Sequence, residues 1–203
     1  MEILQQLGLA LGLATLSGLN LYLTVLVAGL AIRYDWLSLA SAYENLAILG
    51  NPWIIGVAAT LYTIEFFADK IPWLDSIWDV GQTFIRPLGG AFLGLAALGE
   101  LSPEMSVVAG LLAGGAAFST HALKASGRML INLSPEPISN SVASLGEDGL
   151  VLGGLGLIVG APIVAFFVFV AICVFAVVVV AKCWGKFGRF RQKRSKNQAG
   201  ATF

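Results

Sequence analysis

Ala161-Pro162-Ile163-Val164-Ala165-Phe166-Phe167-Val168-Phe169-Val170-Ala171-Ile172-Cys173-Val174-Phe175-Ala176-Val177-Val178-Val179-Val180-Ala181 carries no charge from end to end. As a helix, residues 163–181 extend roughly 28 Å, which matches the hydrocarbon core of a bilayer. Seven basic residues follow at once: Lys182, Lys186, Arg189, Arg191, Lys193, Arg194 and Lys196. A basic cluster directly after an apolar run marks the cytoplasmic end of a membrane span. The tail is expected to rest on anionic headgroups, with Trp184, Phe187 and Phe190 dipping into the interface. The span beside it already accounts for the tail's charge, so no nucleic-acid partner is expected.

The rest of the chain has the same character. Of its 203 residues, 57% are hydrophobic and 12% charged, with a mean hydropathy of +0.83. These values exclude a disordered chain, a disulfide-stapled mini-protein and an ordinary soluble enzyme. The formal net charge of zero hides a segregation: before Lys182, five basic residues face twelve acids. The reading is a transmembrane helical domain over 1–181 and a basic tail over 182–203. The opening Met1-Glu2-Ile3-Leu4 lacks a basic n-region, so the first helix is expected to be retained. Cys173 and Cys183 suggest neither a disulfide nor a metal site.

Residues 4–32 form another apolar run, interrupted at Ser17-Gly18-Leu19-Asn20 and long enough to span with tilt. Residues 37–49 are too short to cross alone. Residues 53–68 and 104–123 follow Asn51-Pro52 and Ser102-Pro103 as further spans. A charged connector over 69–87 precedes a short Gly-rich segment over 88–101. A second polar connector, 133–149, precedes another over 150–160. A short apolar segment, an X-Pro step and a long apolar helix thus recur at Pro52, Pro103 and Pro162, spaced by 51 and 59 residues. Proline suits the first turn of a helix, so the pattern predicts an internal repeat of short helix, break and full span. Breaks at membrane depth need cover from protein or a water-filled cavity, and repeated broken segments are the sequence sign of transporter sites. The fold class is therefore an all-α polytopic bundle, with about five full spans plus short, broken or re-entrant helices. With the tail inside, five crossings place the N-terminus and both charged connectors outside. Small-residue stripes at Gly110, Gly114 and Gly115, and at Gly149, Gly153, Gly154 and Gly156, predict close helix packing.

Polar residues concentrate in the connectors. Glu65 and Asp69 are four apart, as are Asp75 and Asp79, with Gln82 and Arg86 continuing that face and Lys70 between the pairs. Like charges at this spacing need cations, protons or water to offset them. His121, Lys124 and Arg128 form one helical stripe, continued by Asn132. The two stripes are expected to face each other at the centre of the bundle, through a pair such as Asp69–Lys124 or Asp79–Arg128. Asn20 either lines the same cavity or makes an interhelical hydrogen bond. Ser134-Pro135-Glu136-Pro137-Ile138-Ser139-Asn140 is either an ordinary loop or a re-entrant segment, and Glu147-Asp148 suits the start of the short segment after it. The cluster reads either as a proton or ion relay with Glu65 and His121 titrating, or as a structural ion-pair network. A metal site from Asp75, Asp79 and His121 is weaker, and neither HExxH nor a nucleophile elbow occurs. No cofactor is expected.

Gly18-Leu19-Asn20-Leu21-Tyr22, Glu65-Phe66-Phe67-Ala68-Asp69-Lys70-Ile71-Pro72, Asp75 to Asp79 and Phe84-Ile85-Arg86-Pro87 resemble an uncharacterised bacterial membrane family, domain of unknown function 4126. His121-Ala122-Leu123-Lys124-Ala125, Arg128, Asn132, Ser134-Pro135-Glu136-Pro137, Asn140 and Gly146-Glu147-Asp148 extend the likeness, which covers about residues 8 to 180. The resemblance implies a multi-span protein of the bacterial inner membrane and no particular activity. The expected function is a small transporter or channel for an unidentified solute or ion, proton-coupled in one version. The alternative is a non-transporting scaffold or assembly factor. A homo-oligomer is compatible with either.

Overall fold

The computed structural model describes residues 2–36, 44–132 and 137–199, and beyond Lys182 the course of the helix alone. Its elements are α1 (Glu2–Arg33), a 3-10 helix (Glu44–Gly50), α2 (Pro52–Ala68), α3 (Pro72–Leu98), α4 (Pro103–Ile131), α5 (Pro137–Gly160) and α6 (Pro162–Ala199). No strand occurs among the described residues. Four stretches are long and apolar enough to cross a membrane: Ile3–Arg33, Pro103–Ile131, Ile138–Gly160 and Pro162–Lys182.

Proline opens every helix from α2 onward. Its missing N–H is an orphan there in any case. Two of these starts carry side-chain caps. Asn51 Oδ1 accepts from Trp53 N at 2.9 Å, and Ser102 Oγ accepts from Met105 N at 3.4 Å. The X-Pro steps therefore mark helix starts, but the short segments before two of them are not separate elements. The connector over 69–87 and the segment over 88–101 merge into α3, which runs through Pro87. The connector over 133–149 and the segment over 150–160 merge, from Pro137 onward, into α5. Glu147 and Asp148 consequently sit within a helix and do not cap one. Residues 133–136, Glu136 among them, and 37–43 lie outside the described residues, as do the side chains of the basic tail.

The first apolar run does not make a single rod. At Asn20 the backbone is extended, with φ −150° and ψ 100°. In a straight helix Leu9 and Ala31 would stand about 33 Å apart. Both line one cavity of about 30 Å³, together with Leu13, Ala28 and Ile32. The second limb, residues 21–33, therefore folds back along the first, residues 2–19. The other helices enclose this hairpin: Ala14, Ser17 and Thr24 are wholly inaccessible.

Neighbours of the first limb give the directions. Gln6 Nε2 donates to Leu98 O, whereas Arg86 Nη1 donates to Gly18 O, so α3 runs antiparallel to it. A Cβ on Gly154 would meet Leu16, and one on Gly12 would meet Ile158, so α5 is also antiparallel. Phe169 beside Gly12 and Cys173 beside Thr15 make α6 parallel. The starts of α3 and α5 thus lie at the end where α6 runs out into the basic tail. Sequence reading placed the two charged connectors opposite the tail. The structure puts them on the same side, because α5 is a full crossing, so an even number of crossings separates each connector from the tail.

Glycines permit this packing, and two lie in the expected stripes: a Cβ on Gly114 would meet the Pro87 carbonyl and one on Gly154 would meet Leu16. Gly115, Gly149, Gly153 and Gly156 have open space where a Cβ would stand. At Gly18, in contrast, a Cβ would run into Thr120 Oγ1 and the Ala117 carbonyl. Gly18→Ala should destabilise the protein by about 1–3 kcal/mol through overpacking. Gly115→Ala should be neutral or stabilising by up to about 1 kcal/mol, because alanine favours the helix. Melting temperatures in detergent micelles check this. Equal losses for both variants would refute the close approach at Gly18.

Candidate functional site

Interrupting a helix inside a bundle releases backbone groups that need new partners. The first limb of α1 ends with exposed carbonyls. Arg86 Nη1 donates to Gly18 O at 3.0 Å, and Lys124 Nζ donates to Leu19 O at 3.2 Å. Both cations sit where the negative end of a helix dipole favours them. Thr120 Oγ1, whose hydrogen bonds are shared among several carbonyls, reaches Thr15 O at 2.9 Å. The second limb begins with an N-cap: Asn20 Oδ1 accepts from Leu23 N at 3.0 Å. Asn20 Nδ2 donates to Asp148 Oδ1 at 3.1 Å, and Tyr62 OH donates to Asp148 Oδ2 at 2.8 Å. A carboxylate thus lies beside the positive end of the returning limb. Asn20 does more than bridge two helices, since its side chain and its extended backbone form the turn of the hairpin.

An ionic network grows from these caps. Arg86 Nη2 pairs with Glu65 Oε1, and both side chains are completely buried. Lys124 Nζ lies 3.6 Å from Glu65, 3.4 Å from Asp69 and 3.2 Å from Glu147. Arg128 lies 3.1 Å from Asp69, 2.8 Å from Glu147 and 3.9 Å from Asp75. It also donates to the backbone carbonyl of Asn140 at 3.2 Å. Asn140 Nδ2 donates to Asn132 Oδ1, and Asn132 Nδ2 donates to Asp75 Oδ2. Of the two pairs named from sequence, Asp69–Lys124 is formed. Asp79–Arg128 is not among the ion pairs of the described residues.

His121 occupies a defined place. Arg86 Nη1 lies 3.0 Å from His121 Nδ1, and Thr83 Oγ1 lies 3.1 Å from Nε2. A guanidinium has no acceptor, so Nδ1 accepts and the ring proton is on Nε2. A second ring proton would set one N–H against another. In this arrangement His121 is a neutral imidazole that orients Arg86.

Six acids meet three cations in this centre. Glu65, Asp69, Asp75, Asp79, Glu147 and Asp148 face Arg86, Lys124 and Arg128. Lys70 turns away, donating to Phe66 O at 2.8 Å and lying over the Phe66 ring. Several buried atoms make no hydrogen bond: Glu65 Oε2, Asp69 Oδ1, Asp75 Oδ1, Asp79 Oδ1, Gln82 Oε1 and Arg86 Nε. A surplus of carboxylates with unsatisfied oxygens is costly in a low-dielectric interior unless protons, cations or water offset it.

The structure gathers Asn20, Glu65, Asp69, Asp75, Asp79, Arg86, His121, Lys124, Arg128, Asn132, Asn140, Glu147 and Asp148 into one region. Lys70 is set at its edge. Tyr62 and Thr83 belong to it and were not anticipated. The signals existed: Tyr62 precedes Glu65 by three residues and Thr83 follows Asp79 by four, each on the same helical face.

This fold and centre define a polytopic helical membrane protein with a buried ionic core. The chain belongs to the family described as domain of unknown function (DUF4126), which matches residues 7–182. No curated protein and no solved structure matches the chain.

Removing one member of a buried ion pair strands the other. Arg86→Met alone should cost about 3–5 kcal/mol. Glu65→Met together with Arg86→Met should cost clearly less than the two single changes added together. Equilibrium unfolding of all four species tests this, and strict additivity would remove the coupling.

Proposed function

We propose that this protein is a small membrane transporter or channel whose path runs through the ionic centre beside the break in α1. One observation carries the reading: a buried surplus of carboxylates, several with unpartnered oxygens, next to an interrupted helix. Ionisable groups at membrane depth mark ion and proton pathways, and interrupted helices with facing half-helix ends build substrate sites in transporters. α1 then acts as a re-entrant hairpin. With the basic tail on the cytoplasmic side of a bacterial inner membrane, the centre faces the cytoplasm and the hairpin enters from the opposite face. Asp79, which makes no ion pair among the described residues, and Glu65, half of whose carboxylate is unpartnered, are the groups best placed to carry a proton or hold a cation.

A second reading has its own support. Arg86, Lys124 and Arg128 each touch two or more partners, as a structural network in a non-transporting scaffold or assembly factor would require.

Flux into proteoliposomes containing a pH-sensitive dye separates the two. The transport reading expects dissipation of an imposed proton or potassium gradient, reduced at least tenfold in Glu65→Gln and Asp79→Asn variants that remain folded. No flux under any gradient, with both variants losing only thermal stability, would put the scaffold in its place.

A further inference from the structure

Between the first two turns of α3 and the last turns of α4 lies a cavity of about 240 Å³. Asp75, Asp79, Thr83 and Asn132 give it a polar side, and Val80 and Met129 an apolar one. Val80 is 67% exposed and Met129 70%, so the mouth is apolar and opens on the outer surface of the bundle. The acids are deep: Asp75 is 0% exposed and Asp79 8%. Asp75 is held by Arg128 and Asn132, whereas Asp79 makes no ion pair among the described residues and its Oδ1 lacks a hydrogen-bond donor.

Charge narrows what this cavity can take. Arg128 also lines it, but its guanidinium is engaged by Asp69, Glu147 and Asn140 and lies 3.9 Å from Asp75 Oδ1. An anion would meet two carboxylates and no available cation. A small inorganic cation seeks a shell of several oxygens. No group of three or more His, Cys, Asp or Glu poised to hold a metal ion exists among the described residues. Such an ion would also gain nothing from Val80 and Met129. An ammonium group on a short apolar body fits both parts, giving N–H donors to the Asp79 carboxylate and methylene groups to the mouth.

We propose that the α3–α4 cavity is a binding site for organic ammonium ions, with Asp79 holding the charge and Val80 and Met129 holding the body. It deepens the transport reading by naming a substrate class, and its test is separate. Ammonium binding without flux would keep the site and remove the transport reading. Flux without ammonium binding would do the reverse.

The full chain in detergent micelles is titrated calorimetrically with n-butylammonium chloride at constant ionic strength. Saturable binding is expected, at least tenfold weaker in Asp79→Asn and in Val80→Lys, and not displaced by potassium chloride. Val80→Lys places a competing ammonium on the exposed rim without touching the ion-pair network, so it carries the comparison if Asp79→Asn does not fold. Absence of saturable binding, unchanged affinity in the folded variants, or displacement by potassium would overturn the proposal. Nanodiscs then distinguish the source of the ammonium. Weaker butylammonium binding in phosphatidylethanolamine than in phosphatidylglycerol discs assigns the site to a lipid headgroup, and equal binding assigns it to a free amine.

Discussion

The hydrogen bond from Arg86 to the carbonyl of Gly18 closes the end of a helix that stops inside the bundle. A released carbonyl at that depth has no water to turn to, so the hairpin in α1 exists only if cations reach its tip. Arg86 and Lys124 do so from α3 and α4. They are themselves tolerable there because Glu65, Asp69 and Glu147 compensate them from α2, its C-terminal turn and α5. One backbone interruption thus accounts for why four further helices, α2 to α5, bring charged residues to the same depth.

The centre is graded. Around Arg86 the partners are close and completely buried, and His121 fixes the guanidinium from a third side. Asp79, one turn beyond the Asp75 that Asn132 and Arg128 hold, makes no ion pair among the described residues and faces a cavity with an unpartnered oxygen. Paired groups set geometry, and the unpartnered oxygens of Glu65 and Asp79 leave free-energy gain for a visitor. The same network therefore supports both a structural and a transporting reading.

The helical class was legible in the unbroken run 163–181, and the convergence of the two charged stripes was legible in their four-residue spacing. The hairpin was not. Ser17-Gly18-Leu19-Asn20 announced an interruption, but a kinked span and a full reversal read identically in hydropathy, because both limbs are apolar on all sides when enclosed. The continuity of α3 was hidden by Pro87, which reads as a stop. In the bundle, packing keeps the helix intact through it. The connectors share the tail's side because residues 150–160, too short to cross alone, belong to the full-length α5, which adds a crossing between them and the tail. Tyr62 escaped notice for a different reason: a tyrosine in an apolar helix reads as an interfacial or core residue, and only Asp148, far along the chain, reveals its hydroxyl's role.

The hairpin also imposes an order on biosynthesis. Residues 2–33 leave the ribosome before the groups that hold their turn, which come from Arg86, Lys124 and Asp148, up to about 130 residues later. Until α3, α4 and α5 arrive, the carbonyls of Gly18 and Leu19 have no lasting partner in lipid. A nascent chain in that state either lies across the bilayer as one straight helix or waits in a wet compartment such as the insertion channel. In the first case, completing the fold means drawing an inserted helix back on itself. Topology in this protein is then decided after translation has passed the middle of the chain, with the N-terminal segment as the last to take its final place.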